Sequence, residues 1–239
     1  MLSLTWLLLI LVICIGFFRR SYRNYAGELR ENPGLFFWLL TQFIRLKGWS
    51  SESYCLRTDD LKSIDRSSSY LNDRDIPVRE KSRPKMLRAV PHRQRSQHAP
   101  DDIMHEMNKY MASISIPRYG GIALNNELLL RGKSVVEYSG ADGLFLPNAN
   151  QNTFDKGEIA HLHSNDGSFH MKLHPDDVKL LIEKQWAERF PLAGLNFGRF
   201  QIPNTYSLIY APQNDKEFQI WKMILNAAIQ YARDNREKY

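Results

Sequence analysis

The sequence has few of the residues that hold small secreted or zinc-bound domains together. Only two of its 239 residues are cysteines, Cys14 and Cys55, and no Cys-x-x-Cys pair occurs. Because Cys14 lies inside an apolar run, the composition excludes a disulfide framework and a thiolate metal cluster. The chain also lacks internal repeats, so repeat architectures are excluded as well.

Charge and apolar content further limit the class of protein that this chain can be. With 43% hydrophobic and 12% aromatic residues, the chain can bury one domain with appendages. Its net charge of +6 permits an anionic partner without requiring one. The basic run from Arg79 to His98 contains no aromatic side chain for base stacking, which favours a solvated or lipid-facing segment. We therefore expect no nucleic-acid partner.

The N-terminus carries the longest apolar run. Residues 2–18 contain no charge, and Arg19, Arg20 and Arg23 follow. This length is at the lower limit for a transmembrane helix. No basic residue precedes the run and no small-residue cleavage site follows it, so residues 1–20 predict an uncleaved single-pass anchor, with a cleaved signal as the alternative. The arginines place the rest of the chain in the cytosol, with the endoplasmic reticulum as the expected membrane.

A second apolar stretch, residues 35–44, is too short to span a bilayer. It predicts a helix that lies on the membrane surface or in the core, and Trp38 favours the surface. Residues 48–80 are polar and indicate a linker or a loose wrap. We therefore expect an interfacial helix and linker over 21–78, a globular domain over 79–239, and membrane lipid as a partner.

The globular part alternates strand-like and helix-like segments. Helices are predicted from Asp101 or Asp102 to about Ser113, from His174-Pro175 onward through Trp186, and from Asn214 or Asp215 to about Asp234. Strand-like runs cover residues 121–130, 134–138, 144–146, a histidine-rich hairpin and 206–210. This order predicts an α+β domain, an antiparallel sheet with helices packed on one face.

The hairpin contains four of the seven histidines. Asp166-Gly167 between alternating residues predicts a two-residue turn, which would place His163 opposite His170. Because side chains alternate across a strand, Ala160, Leu162, Met171 and Leu173 would face the core. The other face would carry His161, His163, His170, Lys172 and His174.

Short motifs follow one another in a fixed order from the hairpin onward. They are Glu158-Ile159-Ala160-His161-x-His163, His170, the stretch 186–194 and Tyr210-Ala211-Pro212. In this order they resemble the luciferase domain of bioluminescent fungi. Upstream segments at 83–84, 93–97 and 136–147, and the N-terminal run, are similar as well.

This resemblance implies oxidation of a hydroxylated hispidin, a styryl-pyrone, by molecular oxygen, through an endoperoxide that loses carbon dioxide. It also implies no metal, flavin or nucleotide. Such domains occur in organisms that emit no light. Phe190 stands where the luminous enzymes carry a histidine, and the turn 165–168 has a form associated with non-luminous members. We therefore expect a non-luminous member of the family.

We expect an oxidoreductase without cofactor that joins oxygen to a hispidin-like pyrone or another small enolic substrate. Histidine is the natural base near neutral pH, so His163 or His170 would deprotonate the substrate, and Glu137 or Glu158 would orient an imidazole. His161 completes the predicted catalytic set. The predicted substrate-binding residues are Arg93, Arg95, Lys172, His174, Trp186, Arg189 and Tyr210.

Two alternatives stay open. His161, His163 and His170 can offer three imidazoles to a metal ion, although their spacing matches no established zinc signature and we expect no metal. The chain can also be a non-enzymatic, membrane-tethered module that binds a lipid or a small apolar molecule. Its apolar walls would then come from Trp186, Phe190, Phe197 and Phe200.

Overall fold

The computed structural model describes residues 4–29, 34–62, 69–118, 128–137, 140–151, 153, 155–197 and 200–236. It shows a mixed α/β protein built on one large sheet. The helices are α1 Leu4–Leu29, α2 Gly34–Leu46, α3 Glu52–Cys55, α4 Asp101–Ser113, α5 Pro175–Glu183 and α6 Asp215–Asp234. The strands are β1 Met86–Leu87, β2 Arg93–Gln94, β3 Ser115–Pro117, β4 Leu129–Lys133, β5 Asp142–Phe145, β6 Glu158–Leu162, β7 Phe169–Lys172, β8 Ala187–Arg189, β9 Asn196–Phe197, β10 Phe200–Gln201 and β11 Tyr206–Ile209.

Helix α1 is longer than the predicted anchor and continues past the arginines. Among the described helices it alone is long and apolar enough to cross a membrane. Unlike its exposed N-terminal part, the last turns of α1 contact the rest of the protein. There Tyr25 and Leu29 pack with Trp38 and Leu87 in a small second core. The apolar end of the chain is therefore fixed to the globular part through α2 and the β1–β2 ribbon.

Helix α2 carries apolar side chains on both its buried and its exposed face. One face buries Trp38, Thr41 and Ile44, whose spacing of three residues follows the helical repeat. The other face is apolar but exposed, and it carries Leu35, Phe36, Leu39, Phe43 and Leu46. The prediction of a short helix in this region is thus confirmed, but Trp38, which was expected to favour the membrane surface, packs in the small second core instead.

The large sheet has the strand order β3-β4-β5-β6-β7-β11-β8. Its pairs are antiparallel except β3 and β4, which are parallel, so the expectation of a purely antiparallel sheet is corrected. Alternation in a sequence shows which residues share a face but not the strand's direction, which depends on the connection. Pro117 ends the edge strand β3, a position where its missing N–H is tolerated. Residues 121–127 of the predicted strand 121–130 lie outside the described residues.

The hairpin of β6 and β7 keeps the predicted faces but not the predicted register. His161, not His163, is opposite His170, and Leu162 is opposite Phe169. The turn is longer than two residues. The His163 N–H donates to the Ser168 carbonyl at 2.9 Å, and this hydrogen bond closes a loop of residues 164–167. A shift of two residues changes every partner but leaves each side chain on its face, since the period of a strand is two.

The main core lies between the apolar face of this hairpin and helices α4, α5 and α6. It includes Leu162, Phe169 and Met171 from the strands and Trp221 from α6, all nearly inaccessible to solvent. Ile76, from the segment expected to be a linker, joins the same core and is fully buried. The opposite face of the hairpin is therefore left to carry the polar side chains.

Helix α5 is shorter than predicted and does not include Trp186. Gln185 has a positive φ of 65°, and the Trp186 N–H returns to the Leu181 carbonyl at 2.8 Å. The Gln185 N–H bonds to the Ile182 carbonyl, which completes a Schellman C-cap. The chain then turns directly into β8.

Candidate functional site

A cavity of about 560 Å³ lies against the polar face of the hairpin. Its floor contains His161, His170 and His92, and its walls are largely apolar. The apolar lining comes from α2 and from the segments after β8 and β10: Phe36, Phe37, Leu40, Phe190, Leu192, Leu195 and Ile202.

Three imidazoles meet beside this floor. The ring centroids of His161, His163 and His170 lie 4.9–5.2 Å from one another. His161 and His163 are two residues apart on one strand face, and the register brings His170 directly opposite His161. Each ring is at most 2% exposed. The sequence prediction that these rings share a site is therefore matched by their placement.

Two of the rings are held from behind, His161 by a carboxylate and His163 by a hydroxyl that a carboxylate orients. His161 Nδ1 lies 2.7 Å from the Glu158 carboxylate, which also accepts bonds from the Ser134 hydroxyl and the Val135 N–H. His163 Nδ1 lies 2.8 Å from the Ser168 hydroxyl. That hydroxyl donates to Asp166 at 2.6 Å, so it accepts the Nδ1–H of His163. Both rings therefore direct Nε2 inward.

His170 is held by a residue that the sequence did not single out. Its Nε2 lies 3.4 Å from His92 Nδ1, and His92 Nε2 lies 2.8 Å from Glu188. The buried Glu188 can only accept, so His92 donates to it and receives the Nε2–H of His170. His170 also stacks on Tyr206, with centroids 5.1 Å apart. Its Nδ1 points inward, 3.2 Å from His161 Nε2.

A carboxylate closes the cluster from the side opposite the hairpin. Glu137 Oε2 lies 3.7 Å from His161 Nε2 and 3.6 Å from His163 Nε2. Arg93 binds both oxygens of Glu137, at 2.8 and 3.1 Å, and its Nη1 lies 3.1 Å from His163 Nε2. Glu137 belongs to a loop after β4 rather than to the predicted strand 134–138, and residue 138 lies outside the described residues.

Burial and neighbouring charge keep the imidazoles of His163 and His170 neutral. Desolvation, with Arg93 second, lowers the pKa of His163 to about 4. Desolvation also lowers the pKa of His170 well below its usual range, and His163 and His161 add to this effect. The pKa of Glu137 is lowered despite its desolvation, because His163 and Arg93 stabilise its anion. His163 and His170 are therefore uncharged at neutral pH, and the Glu137 carboxylate beside the cluster is ionised.

A cation also lies on the cavity wall. Lys172 Nζ is 2.5 Å from Asp155 Oδ2, and both residues line the cavity. Burial lowers the pKa of Lys172, and the Asp155 charge opposes this shift. The pKa of the neighbouring Tyr206 is raised well above its usual range, chiefly by burial, so its phenol stays protonated.

Comparison with known proteins places this site in a family. Residues 156–228 match the model of the luciferase domain. The luciferase of Armillaria mellea is 32% identical over 170 residues, which cover 66% of this chain and 61% of that protein. The luciferases of Neonothopanus nambi and Armillaria gallica are 29% and 32% identical, with the same two shares. The chain belongs to the fungal luciferase family.

The chain spans 61% of the length of these fungal luciferases. No solved structure matches it. The matched luciferase domain contains Glu158 and the three clustered histidines, whereas His92, Arg93 and Glu137 precede it. The site is thus completed by segments outside the domain model.

Five predicted substrate-binding residues of this luciferase-family chain lie away from the cavity lining. His174 caps α5 and packs against Tyr70 and Tyr231, because it lies beyond the end of β7. The guanidinium of Arg95 is partly exposed near Glu28. The other three are held by distant segments: Trp186 donates to the Pro77 carbonyl, Arg189 binds Asp60 and Asn204, and Tyr210 donates to Glu188.

The remaining predicted substrate-binding residues, Arg93 and Lys172, do lie at the site. Of the aromatic walls expected for a binding module, Phe190 lines the cavity and contacts both His92 and His170. Trp186 does not line it, and the side chains of Phe197 and Phe200 lie outside the described residues. The sequence places His92 only in the basic run 79–98 and does not predict it as a site residue, because nothing near it in sequence indicates its pairing with His170.

Proposed function

We propose that this protein is a membrane-anchored oxygenase of the fungal luciferase family. Its substrate is a small, apolar ring compound with an acidic enol or phenol, such as a hispidin-like pyrone. One observation carries the proposal: buried imidazoles form the floor of a largely apolar cavity.

The size and polarity of the cavity support this substrate class. A volume of about 560 Å³ falls within the ~300–1,000 Å³ typical of small-molecule sites. Polar side chains are concentrated at one end, where His161, His170 and Lys172 lie. A flat ring compound would pack its apolar part against Phe190 and Leu192 and direct its hydroxyl to this end.

The polar end suits the chemistry that oxygenation requires. An enol must lose its proton before the electron-rich anion reacts with oxygen. The imidazoles of the floor assist by accepting that proton. Lys172, which lines the cavity, and Arg93, which binds Glu137 and His163, supply positive charge for the resulting anion, and the surrounding apolar walls strengthen these interactions.

We propose further that the reaction emits no light. Phe190 takes the place where luminous members carry a histidine, and its ring lies 5.6 Å from the His170 centroid. An apolar ring at that position removes one hydrogen-bonding group from the cavity.

The anchor and α2 support a membrane location. We propose that α1 spans the endoplasmic reticulum membrane, with the domain in the cytosol, and that α2 lies on the bilayer surface. The exposed apolar side chains of α2 would enter the lipid, while Phe37 and Leu40 of the same helix line the cavity. An apolar substrate dissolved in the membrane would then meet the cavity wall at the bilayer surface.

Oxygen uptake by the purified full-length protein in detergent micelles tests this proposal. Hydroxylated hispidin and related pyrones are the substrates, with product analysis and a luminometer in parallel. We expect uptake without light, and loss of uptake in His170→Asn but not in His105→Asn, which alters an exposed histidine on α4.

The apolar walls also suit a non-enzymatic module that binds a lipid or a small apolar molecule. If pyrones bind, as measured by quenching of tryptophan fluorescence, but no oxygen is consumed, the oxygenase proposal is wrong and the binding module replaces it.

A further inference from the structure

We propose that His161, His163, His170 and Glu137 form a binding site for one divalent first-row transition-metal ion. One ligand atom from each residue lies within 4.8 Å of the other three. The resemblance to luciferases implies no metal, but the arrangement of these four side chains points the other way.

The distances between the ligand atoms match a first coordination shell. Ligands at ~2.0–2.1 Å from a metal, as for histidine and carboxylate on zinc, lie roughly 3.0–3.4 Å apart in octahedral or tetrahedral geometry. The inward atoms of His161 and His170 are 3.2 Å apart, and Glu137 Oε2 lies 3.6–3.7 Å from His163 and His161. The other pairs of ligand atoms lie within 4.8 Å, so closing the shell requires side-chain shifts of roughly 1 Å.

The outward nitrogens show the second feature of a metal site. Metal-bound histidines nearly always donate their other N–H to a carboxylate or another acceptor, which fixes the tautomer. His161 has Glu158 in this role, and His163 has Ser168 backed by Asp166. His170 has His92, backed by Glu188.

This proton arrangement leaves inward lone pairs that face each other. With its proton on Nδ1, His161 presents a bare Nε2, and His170, with its proton on Nε2, presents a bare Nδ1. Two acceptors 3.2 Å apart repel unless a proton or a metal ion lies between them. The Glu137 anion beside them adds the negative charge that a divalent ion requires.

Arg93 must move before a metal ion can bind. Its Nη1 contacts His163 Nε2 and Glu137 Oε2, the two atoms that a metal would use, whereas Nη2 contacts the other Glu137 oxygen. Binding therefore requires Nη1 to withdraw, and the Nη2–Oε1 contact keeps Glu137 in place. Nitrogen ligands with one carboxylate suit zinc, iron, nickel or copper rather than magnesium or calcium.

The inference deepens the proposed function, and only the role of the metal rests on that function. His161 and His170 line the cavity, so a free coordination position would face the substrate. A bound cation would lower the pKa of an enol oxygen that reaches this position, as metal ions do for bound water.

Metal content provides the first test. The full-length protein is purified in detergent with a tag that contains no histidines, and its metals are measured by mass spectrometry. The protein is then stripped with a chelator and titrated with Co²⁺, whose visible absorption reports nitrogen ligation. We expect one site per chain; a folded protein with neither stoichiometric metal nor Co²⁺ absorption would overturn the inference.

Variants locate the site. His161→Ala and Glu137→Gln should each weaken Co²⁺ binding by at least ~10-fold, and Glu158→Gln, which disturbs only an outward contact, by roughly 10-fold. His105→Ala should bind as the wild type does. Glu137→Gln preserves shape, so it serves if His161→Ala does not fold; unchanged Co²⁺ affinity in a folded Glu137→Gln would contradict the site.

The two proposals fail separately. Stoichiometric metal without oxygen uptake would remove the proposed function and leave the metal site standing. A folded protein that binds no stoichiometric metal or Co²⁺ and still consumes oxygen would remove the metal site and leave the oxygenase standing.

Discussion

Glu188 is the most deeply buried anchor behind the site, and its loss should be costly. Its carboxylate is fully buried and binds Arg88 in two places, at 2.7 and 3.0 Å. It also accepts from His92 at 2.8 Å and from the Tyr210 hydroxyl at 3.2 Å. Glu188→Gln keeps the shape of the side chain but removes the charge and half of the acceptor capacity.

The loss of stability in Glu188→Gln depends on how Arg88 is left without its partner. The Arg88 side chain is 13% exposed, so its guanidinium would lose its buried counter-ion and remain largely desolvated. Breaking a buried ion pair on one side costs about 3–5 kcal/mol. Since Gln still accepts one hydrogen bond, we expect about 3 kcal/mol. For a chain of this size that corresponds to a fall in Tm of about 6–12 °C.

The same arginine supplies a matched control. Arg88 also lies 3.6 Å from Glu52, whose side chain is 57% exposed. An exposed pair contributes about 0–1 kcal/mol, so Glu52→Gln should move the Tm by no more than about 2 °C. Thermal unfolding of both variants, followed by circular dichroism at pH 7, makes the comparison. Equal shifts would refute the claim that burial makes Glu188 a structural anchor.

Three further predictions concern other parts of the molecule. Burial raises the pKa of Asp177 to about 6, above its unfolded value, so the native protein holds the Asp177 proton more tightly than the unfolded chain does. The free energy of unfolding should therefore fall as the pH rises from about 4 to about 6. In urea titrations, Asp177→Asn should flatten that slope. In Gly167→Ala the new Cβ would lie 2.4 Å from Ala99 Cβ, whereas at Gly140, which also has a positive φ, the nearest atom is 3.8 Å away. Gly167→Ala should therefore lower the free energy of unfolding by about 1–3 kcal/mol more than Gly140→Ala does. Equal losses of stability would contradict the clash. Leu39→Glu on the exposed face of α2 should weaken liposome flotation in a protein lacking residues 1–18, which keeps Tyr25 and Leu29 packed against α2; unchanged flotation would argue against α2 as a membrane contact.

The faces of the hairpin could be predicted from the sequence because alternation is a local property. Ala160 and Leu162 in the core, and His161 on the other side, follow from a period of two alone. The register could not be predicted in the same way, because it depends on how the turn closes. Asp166 bonds the N–H groups of Ser168 and Gln94, which favours a four-residue loop over a two-residue turn.

The support behind the site depends on contacts between distant segments. His92 and Glu188 are 96 positions apart and lie on opposite sides of the hairpin in sequence. Their types are unremarkable in isolation, and only the tertiary fold gives them a role. Arg189 shows the converse, since a basic residue in a family motif turns out to bind Asp60 and Asn204 rather than the cavity.

The most direct test of the account compares oxygen uptake in the wild type with that in His163→Asn, with hydroxylated hispidin as substrate. His163 does not line the cavity, yet its ring centroid is 4.9 Å from that of His170. If the three rings act as one unit, we predict a fall of roughly 100-fold or more in rate while the folded protein keeps its circular dichroism spectrum. A folded His163→Asn protein that consumes oxygen at the wild-type rate would contradict the histidine cluster as the reactive centre.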